Sequence, residues 1–290
     1  MESGPIKRRN WKEDLARGAF FAAAATSILA VLLICAFLFA NGIPAMGKIG
    51  VFRFLLGTEW APSDIPPAYG IFPMILGSLY ITAGAVLLGV PLGILTAVFL
   101  AAFCPEALHK ILKPAVELLA GIPSVVYGFF GMGVIVPAVR LLLGGSGSSI
   151  LAASILLGIM ILPTVVTISE TAVRAVPGSY YEGALALGAS HERGVFFIVL
   201  PAARSGVLAS VILGIGRAVG ETMAVIMVAG NQARAPRGIL RGVRTLTANI
   251  VLEMGYAAEL HREALIATGV VLFIFIMMIN LAFSMLKRRV

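Results

Sequence analysis

The sequence is poor in charged residues. Only 12% of its 290 residues are charged and 59% are hydrophobic, with a mean hydropathy of +1.00. A soluble domain has about 25% charged and about 45–50% apolar residues, so the composition excludes an ordinary water-soluble domain. The apolar runs are continuous and lack the alternation of a transmembrane β-barrel strand. Because only helices or closed barrels span a bilayer, the sequence predicts an all-α membrane protein.

Cysteine is also scarce, and no nucleotide-binding motif is complete. Cys35 and Cys104 lie in or at the end of apolar runs and indicate neither a disulfide nor a metal site. Residues 42–48 approach a phosphate-binding P-loop, but Ile49 replaces the hydroxyl residue and a helix precedes the motif. No convincing catalytic or metal-ligand spacing occurs. We therefore expect no enzymatic activity, no cofactor and no metal on this chain, and any ATP must be hydrolysed by another subunit.

Six apolar runs are long enough to cross a bilayer as helices. They are Ala19–Ala40, Met74–Ala102, Ala115–Val139, Ile150–Ile168, Val207–Ala229 and Ala264–Leu286. These runs divide the chain into a tail (1–18), a first helix with an external loop (19–73), a five-helix transmembrane domain (74–286) and a second tail (287–290). The domain contains a polar segment, 169–205, between its apolar runs.

The distribution of basic residues predicts the orientation. With six spans both termini share one side, and that side carries 13 Lys and Arg against 8 on the other. Because basic loops stay in the cytoplasm, we expect cytoplasmic termini, a cytoplasmic segment 169–205 and a multi-pass membrane protein.

Two charged residues fall inside the fifth run. Arg217 and Glu221 are four residues apart, which on one helix makes them neighbours. Each charge costs roughly 2.5–3.5 kcal/mol near the bilayer centre, and such residues are usually functional. An Arg fork suits phosphate oxygens, although a structural pair that joins helices is the alternative. Gly216 and Gly220 form a small-xxx-small step that predicts a closely packed helix.

The polar segment 169–205 reads as two short helices. Ser179 and Glu182 fit a capping box for the first, which spans about eight residues. Gly188 fits a left-handed cap at its end, and Ser190 fits an N-cap for the second helix. Because so short a helix is unstable alone in water, the segment predicts a docking element for a partner.

This segment resembles the cytoplasmic "EAA" loop of permease subunits of ABC importers. The matching positions are Glu182, Gly183, Ala184, Gly188, Ile198, Leu200 and Pro201. Gly183 replaces the family's alanine, which weakens the helix by about 1 kcal/mol. The resemblance implies that the loop sits in a cleft of the ATP-hydrolysing subunit and transmits its closure.

Further stretches resemble the membrane subunits of phosphate-specific ABC importers. These are Arg217–Val225 and Glu117–Gly128, and Phe54–Pro62, Tyr69–Leu79 and Thr245–Asn280 are similar to the C-type (PstC-like) permease. The resemblance implies the type I ABC importer transmembrane fold in a bacterial plasma (inner) membrane, with Arg217 and Glu221 in phosphate translocation. It also implies three kinds of partner: a homologous second permease (PstA-like), an ATPase homodimer (PstB-like) and an external phosphate-binding protein (PstS-like).

Alternatives remain open at this point. The substrate could be another oxyanion, such as phosphonate or molybdate. A self-sufficient secondary anion transporter is the rival class, but we find no inverted repeat of the kind expected for it. The turn 144–149 could cradle a phosphate at a helix N-terminus. Arg234, Arg237, Arg241 and Arg244 form either an outer basic surface for phosphate or an acidic partner, or a solvated loop.

Overall fold

A computed structural model describes residues 11–289, and the predicted all-α fold is confirmed. The α-helices are α1 Trp11–Ile49, α2 Val51–Leu56, α3 Phe72–Val98, α4 Glu106–Gly121, α5 Ser124–Phe130, α6 Val136–Leu143, α7 Ile150–Arg174, α8 Gly178–Ala186, α9 His191–Gly194, α10 Leu200–Ala202, α11 Arg204–Gly220, α12 Met223–Val228, α13 Leu246–Glu253 and α14 Glu259–Arg289. Three π-helical segments are Phe99–Phe103, Gly131–Ile135 and Val195–Val199. A small antiparallel hairpin pairs β1 (Trp60–Ala61) with β2 (Ala68–Tyr69).

Five stretches of the described chain are long and apolar enough to cross a membrane, and a bent pair raises the number to six. The five are Glu13–Ile49, Phe72–Phe103, Ser124–Leu143, Ile150–Arg174 and Glu259–Ala282, and the bent pair is His191–Ala202 with Arg204–Gly220. The predicted third span, Ala115–Val139, is wrong at its start. Helix α4 ends at Gly121, and Ile122 and Pro123 are extended, because Pro123 disfavours a helical residue before it.

Several other helices are longer than the sequence predicts. Helix α1 already begins at Trp11, and α14 continues to Arg289, so both helices extend into the predicted tails. Residues 1–10 and 290 lie outside the described residues. Helix α7 runs to Arg174, so the first six residues of the predicted polar segment 169–205 are helical. The segment that connects α7 to α11 is 175–203, and we call it the connecting segment.

Helix α7 is the centre of the bundle. Its most apolar window is 67% buried, against at most 28% for the other four single-helix spans. Glycines let α3 approach it closely: a Cβ at Gly89 would lie 2.7 Å from the Gly158 carbonyl oxygen, and one at Gly93 would lie 2.7 Å from Val165. Close backbone approach of this kind is typical of membrane helix pairs, where packing rather than hydrophobicity drives association.

A second core lies at the end of the bundle that carries the hairpin, the hairpin end. There Phe54, Met74, Leu246 and Leu265 are fully or almost fully buried between α2, α3, α13 and α14. Helix α1 joins this core only through its last third. From Trp11 to Ile34 its described side chains are exposed.

Candidate functional site

The connecting segment folds as a compact unit around α8. The predicted capping box is wrong, because α8 begins at Gly178 behind Pro177 and no side chain caps it. The cap at its end is confirmed. Gly188 has φ +84°, and the amides of Gly188 and Ala189 donate to the carbonyls of Leu185 and Ala184 at 2.9 and 3.0 Å. This is a Schellman motif, which favours glycine at the left-handed position.

The second predicted cap is also present. Ser190 begins α9 and its hydroxyl accepts the amide of Arg193 at 3.4 Å. The Tyr181 hydroxyl of α8 lies 2.6 Å from His191 Nδ1 of α9. A Cβ at Gly194 would lie 3.2 Å from the Tyr181 ring. Helices α8 and α9 are therefore held together by side-chain contacts.

The residues of the "EAA" pattern occupy both parts of this unit. Glu182, Gly183 and Gly188 are exposed, whereas Ala184 is buried. Ile198 lies in the π-helical segment 195–199, and Leu200 and Pro201 form most of α10. The tip of the unit is apolar, since Leu187 is 91% exposed. An exposed apolar tip on a capped helix is suited to binding another protein.

Arg217 lies in the last turn of α11 and is half-buried. Its Nη1 donates to Thr164 Oγ1 of α7 at 3.5 Å, and Tyr127 of α5 is within electrostatic reach. Among the described residues no carboxylate pairs with it. The carbonyl end of α11 favours a cation, which helps to explain how this charge is tolerated.

The predicted pairing of Arg217 with Glu221 is wrong. Glu221 has extended backbone angles and ends α11, so four-residue spacing no longer places the two on one helix face. Its Oε1 instead accepts the amides of Thr222 and Ala224, at 3.1 and 3.2 Å, at the start of α12. A carboxylate is favourable there because the first amides of a helix lack partners within it.

A second broken helix lies next to this one. Pro123 removes the amide that would bind the Leu119 carbonyl, and the Tyr127 hydroxyl donates to that carbonyl at 2.8 Å. Across the break, α5 packs on α12, where a Cβ at Gly128 would lie 3.3 Å from Ala224 Cα. The breaks of α4/α5 and α11/α12 thus come together beside Arg217. Broken helices at membrane depth often line substrate pathways.

The glycine step predicted to admit another helix is not used within the described chain. A Cβ at Gly216 or Gly220 would meet nothing within 4 Å. The close approach of α11 to α7 occurs at Gly214, where a Cβ would lie 3.1 Å from Val165.

Two buried glutamates that matter in the structure were not identified from the sequence. Glu170, on α7, accepts hydrogen bonds from His109, Lys113 and Arg174. The sequence did contain a signal for α4, since His109 and Lys113 are four residues apart and would share one helix face. Nothing local indicated that Glu170 faces them, because their separation in the chain is about 60 residues.

Glu253, at the end of α13, is the corresponding residue at the hairpin end. It accepts hydrogen bonds from Trp60 Nε1 and His261 Nε2, both at 2.9 Å, and from Arg244 Nη1. Burial, with a contribution from the Glu253 carboxylate, raises the pKa of nearby Tyr256. This cluster joins the hairpin, α13 and α14.

The turn 144–149 does not offer a phosphate cradle. The first α7 amides are occupied: Ile150 and Leu151 donate to the carbonyls of Arg241 and Ile239, at 3.1 and 2.9 Å. Of the four arginines, Arg244 is partly buried in the Glu253 cluster, with 17% of its side chain exposed, whereas Arg234, Arg237 and Arg241 are exposed on an irregular loop. Among residues 11–289, no group of three or more His, Cys, Asp or Glu side chains could hold a metal ion.

Comparison with known proteins gives consistent matches. Residues 89–290 match the family described as binding-protein-dependent transport system inner membrane component. The chain is 38% identical to the probable ABC transporter permease protein YqgH of Bacillus subtilis, over 94% of this chain and 92% of the relative. It is 34% identical to the phosphate transport system permease protein PstC of Mesorhizobium japonicum (87% and 83%). The Haemophilus influenzae PstC is 32% identical (93% and 91%).

Solved structures support the fold. A bacterial alginate ABC transporter in complex with an alginate pentasaccharide-bound periplasmic protein matches with a TM-score of 0.67, at 16% identity, over 97% of this chain and 98% of that chain. An inward-facing MetNI methionine ABC transporter matches with a TM-score of 0.62, at 20% identity, over 76% and 95%. The chain therefore belongs to the binding-protein-dependent transport system inner membrane component family, as a multi-pass, non-enzymatic permease subunit of an ABC importer with the type I transmembrane fold.

Proposed function

We propose that this chain is a permease subunit of an ATP-driven phosphate importer and forms half of its translocation pathway. The observation that carries the proposal is Arg217. It is a half-buried, permanently charged guanidinium at a helix break, and Thr164 is its one hydrogen-bond partner among the described residues. The remaining N–H donors of the fork suit the oxygens of a tetrahedral oxyanion.

The relatives favour phosphate among the possible oxyanions. Two of those named above are phosphate transport permeases that align with this chain over 83% and 91% of their own lengths. Phosphonate and molybdate would use the same donor chemistry, so the substrate must be tested by competition. We further propose that Glu221 stabilises the break by capping α12, while among the described residues Arg217 has no carboxylate partner.

The connecting segment supports a proposal for the energy source. We place the segment and both termini in the cytoplasm, in line with the excess of basic residues there. The exposed face of α8, with Glu182 and Leu187, would dock in a cleft of a separate ATPase dimer. ATP-driven closure of that dimer would move the segment and rock the helices, a rigid-body change of the alternating-access kind. A homologous permease would complete the pathway, and an external phosphate-binding protein would deliver the ion.

The test is uptake of radiolabelled phosphate by liposomes that contain this chain, the second permease and the ATPase, with the binding protein and ATP supplied. We expect Arg217→Gln to assemble and hydrolyse ATP but to lose uptake by about 10- to 100-fold, because a charge-assisted hydrogen bond contributes about 1.5–3 kcal/mol. Arg217→Lys should lose less, since it keeps the charge but not the fork.

Three other outcomes would contradict parts of the proposal. Near-normal uptake by Arg217→Gln would indicate that Arg217 has only a structural role. Stronger competition by phosphonate or molybdate than by unlabelled phosphate would change the substrate. Uptake by this chain alone, without the ATPase, would indicate a secondary transporter.

A further inference from the structure

Glu170 connects helices that meet beside the connecting segment. Its side chain is only 4% exposed. Oε1 accepts from His109 Nε2 at 2.8 Å and from Arg174 Nε at 3.0 Å, and Oε2 accepts from Lys113 Nζ at 2.9 Å. His109 and Lys113 belong to α4, whereas Glu170 and Arg174 belong to α7. One buried carboxylate therefore fixes the position of α4 on α7.

Arg174 extends this cluster to the end of α3. Its Nη2 donates to the Leu100 carbonyl at 2.7 Å, within the π-helical segment 99–103. That carbonyl is available because its π-helical donor would be residue 105, which is a proline and has no N–H. The guanidinium thus replaces a backbone hydrogen bond and links the π-helical segment to Glu170.

The same π-helical segment also contacts the connecting segment. The Phe103 ring lies 4.6 Å from the His191 ring, centre to centre, and His191 binds the Tyr181 hydroxyl of α8. A cavity of about 240 Å³ lies between these contacts and is lined by Ala101, Arg174, Tyr181 and His191, among others. The π-helical segment 99–103 is therefore held by His191 of α9 on one side and by Arg174 on the other, next to this cavity.

The far end of α4 reaches the site of Arg217. Helix α4 ends at Gly121, and its Leu119 carbonyl is bound by Tyr127 across the break to α5. Tyr127 in turn belongs to the same buried apolar cluster as Ala218, the residue that follows Arg217. Contacts therefore link α8 to the start of α4 through the π-helical segment and Glu170, and α4 itself leads to the break beside Arg217.

We propose that Glu170 is a positioning residue for transport, which passes displacement of the connecting segment to the α4/α5 break beside Arg217. This inference rests on the proposed function, in which an ATPase moves that segment. Stability alone is a weak reason for such a cluster, because well-packed apolar residues often replace a buried ion pair without loss. Directional bonds from α4 to this carboxylate, and from Arg174 to the end of α3, would instead keep these elements in a fixed relation while they move.

The decisive variant is Glu170→Gln, which keeps the shape but loses the negative charge. In the complete reconstituted transporter, we expect ATP hydrolysis to continue and phosphate uptake per ATP to fall roughly threefold or more, within the range known for coupling residues. Glu117→Gln is the matched control. Glu117 also faces Lys113, at 3.6 Å, but is 56% exposed, so its uptake per ATP should stay at the wild-type value.

A second measurement keeps the test decisive if Glu170→Gln fails to assemble. Lys113→Gln leaves Glu170 with His109 and Arg174, and it should assemble with a smaller loss of uptake per ATP. Combination of the surviving variant with Tyr181→Phe tests the shared route, because the double variant should be no worse than the more severe single one.

Wild-type uptake per ATP in the variant that assembles, or fully additive losses in the double variant, would overturn the role of Glu170. These results are distinct from failure of the proposed function. In that case the wild-type transporter itself would not couple ATP hydrolysis to phosphate uptake.

Discussion

Glu170 and Glu253 are two buried glutamates with similar chemistry at opposite ends of the bundle. Each accepts three side-chain donors. Around Glu170, His109 and Lys113 are 26% and 20% exposed and Arg174 is 48% exposed, so Arg174 in particular can reach water if the carboxylate is lost. Around Glu253, Arg244 and His261 are only 17% and 15% exposed. The cost of leaving a donor buried and unpaired is therefore higher at the hairpin end.

This difference suggests a division of roles. The Glu253 cluster joins the hairpin, α13 and α14 into one core, with few solvated groups that could rearrange. The Glu170 cluster lies at the entrance to an exposed segment and keeps solvated donors. The first is suited to holding a fixed end of the molecule, and the second to passing on movement of the connecting segment during transport.

The largest effect that tests this comparison is expected for Glu253→Gln. Loss of the carboxylate charge leaves Arg244 buried without a counter-ion, which should reduce the free energy of unfolding by about 3–5 kcal/mol. Thermal unfolding of the purified protein in detergent measures this. Glu263→Gln is the control, because the Lys48–Glu263 pair is largely exposed and contributes about 1 kcal/mol at most. An equal loss of unfolding free energy in the two variants would show that burial of the Glu253 cluster does not raise its contribution to stability.

An intermediate effect is expected at the other end for Gly188→Val. A β-branched residue resists φ +84°, at a cost of about 1–2 kcal/mol, although the site has room for the side chain. The distorted connecting segment should bind the ATPase less tightly or lower uptake per ATP, as measured by co-purification and by coupled uptake. Gly183→Ala, at a helical position with nothing within 4 Å, should keep both. Normal coupling in Gly188→Val would contradict the importance of the cap.

The smallest effect on stability is expected for Arg234, Arg237 and Arg241, changed together to Gln. All three are exposed, so the free energy of unfolding should change by less than about 0.5 kcal/mol. If they attract an anion or an acidic partner, uptake should fall at low ionic strength, and the difference should vanish near 1 M salt, where charges are screened beyond about 3 Å. If the variant and the wild type take up phosphate equally at both ionic strengths, the three arginines belong to a solvated loop without a role in transport.

Local signals in the sequence were sufficient for some features. Gly188 and Ser190 mark caps whose partners lie within five residues, and the structure confirms both. Composition was sufficient for the helical membrane fold. Pro123 was visible as a helix breaker, but the apolar run around it hid the boundary between α4 and α5.

Features that depend on distant contacts were missed. The break at Glu221 is stabilised by the Thr247 hydroxyl, which donates to the Glu221 carbonyl from 26 residues away. Glu170 ended an apolar run and was therefore assigned to a polar loop, whereas cations from α4 keep it in the helix. A charge inside a helix is predictable only when the residue that neutralises it is known, and here that residue is far along the chain.

The anchoring of α7 limits how the pathway could open. At the hairpin end its first amides bind the carbonyls of Ile239 and Arg241. At the other end Glu170 binds His109 and Lys113 of α4, and Arg174 binds the Leu100 carbonyl. To slide this helix along its axis would break both sets of bonds at once. Under the proposed function, α7 would therefore tilt as one body together with α4, and this tilt would expose Arg217 to one side of the membrane and then the other.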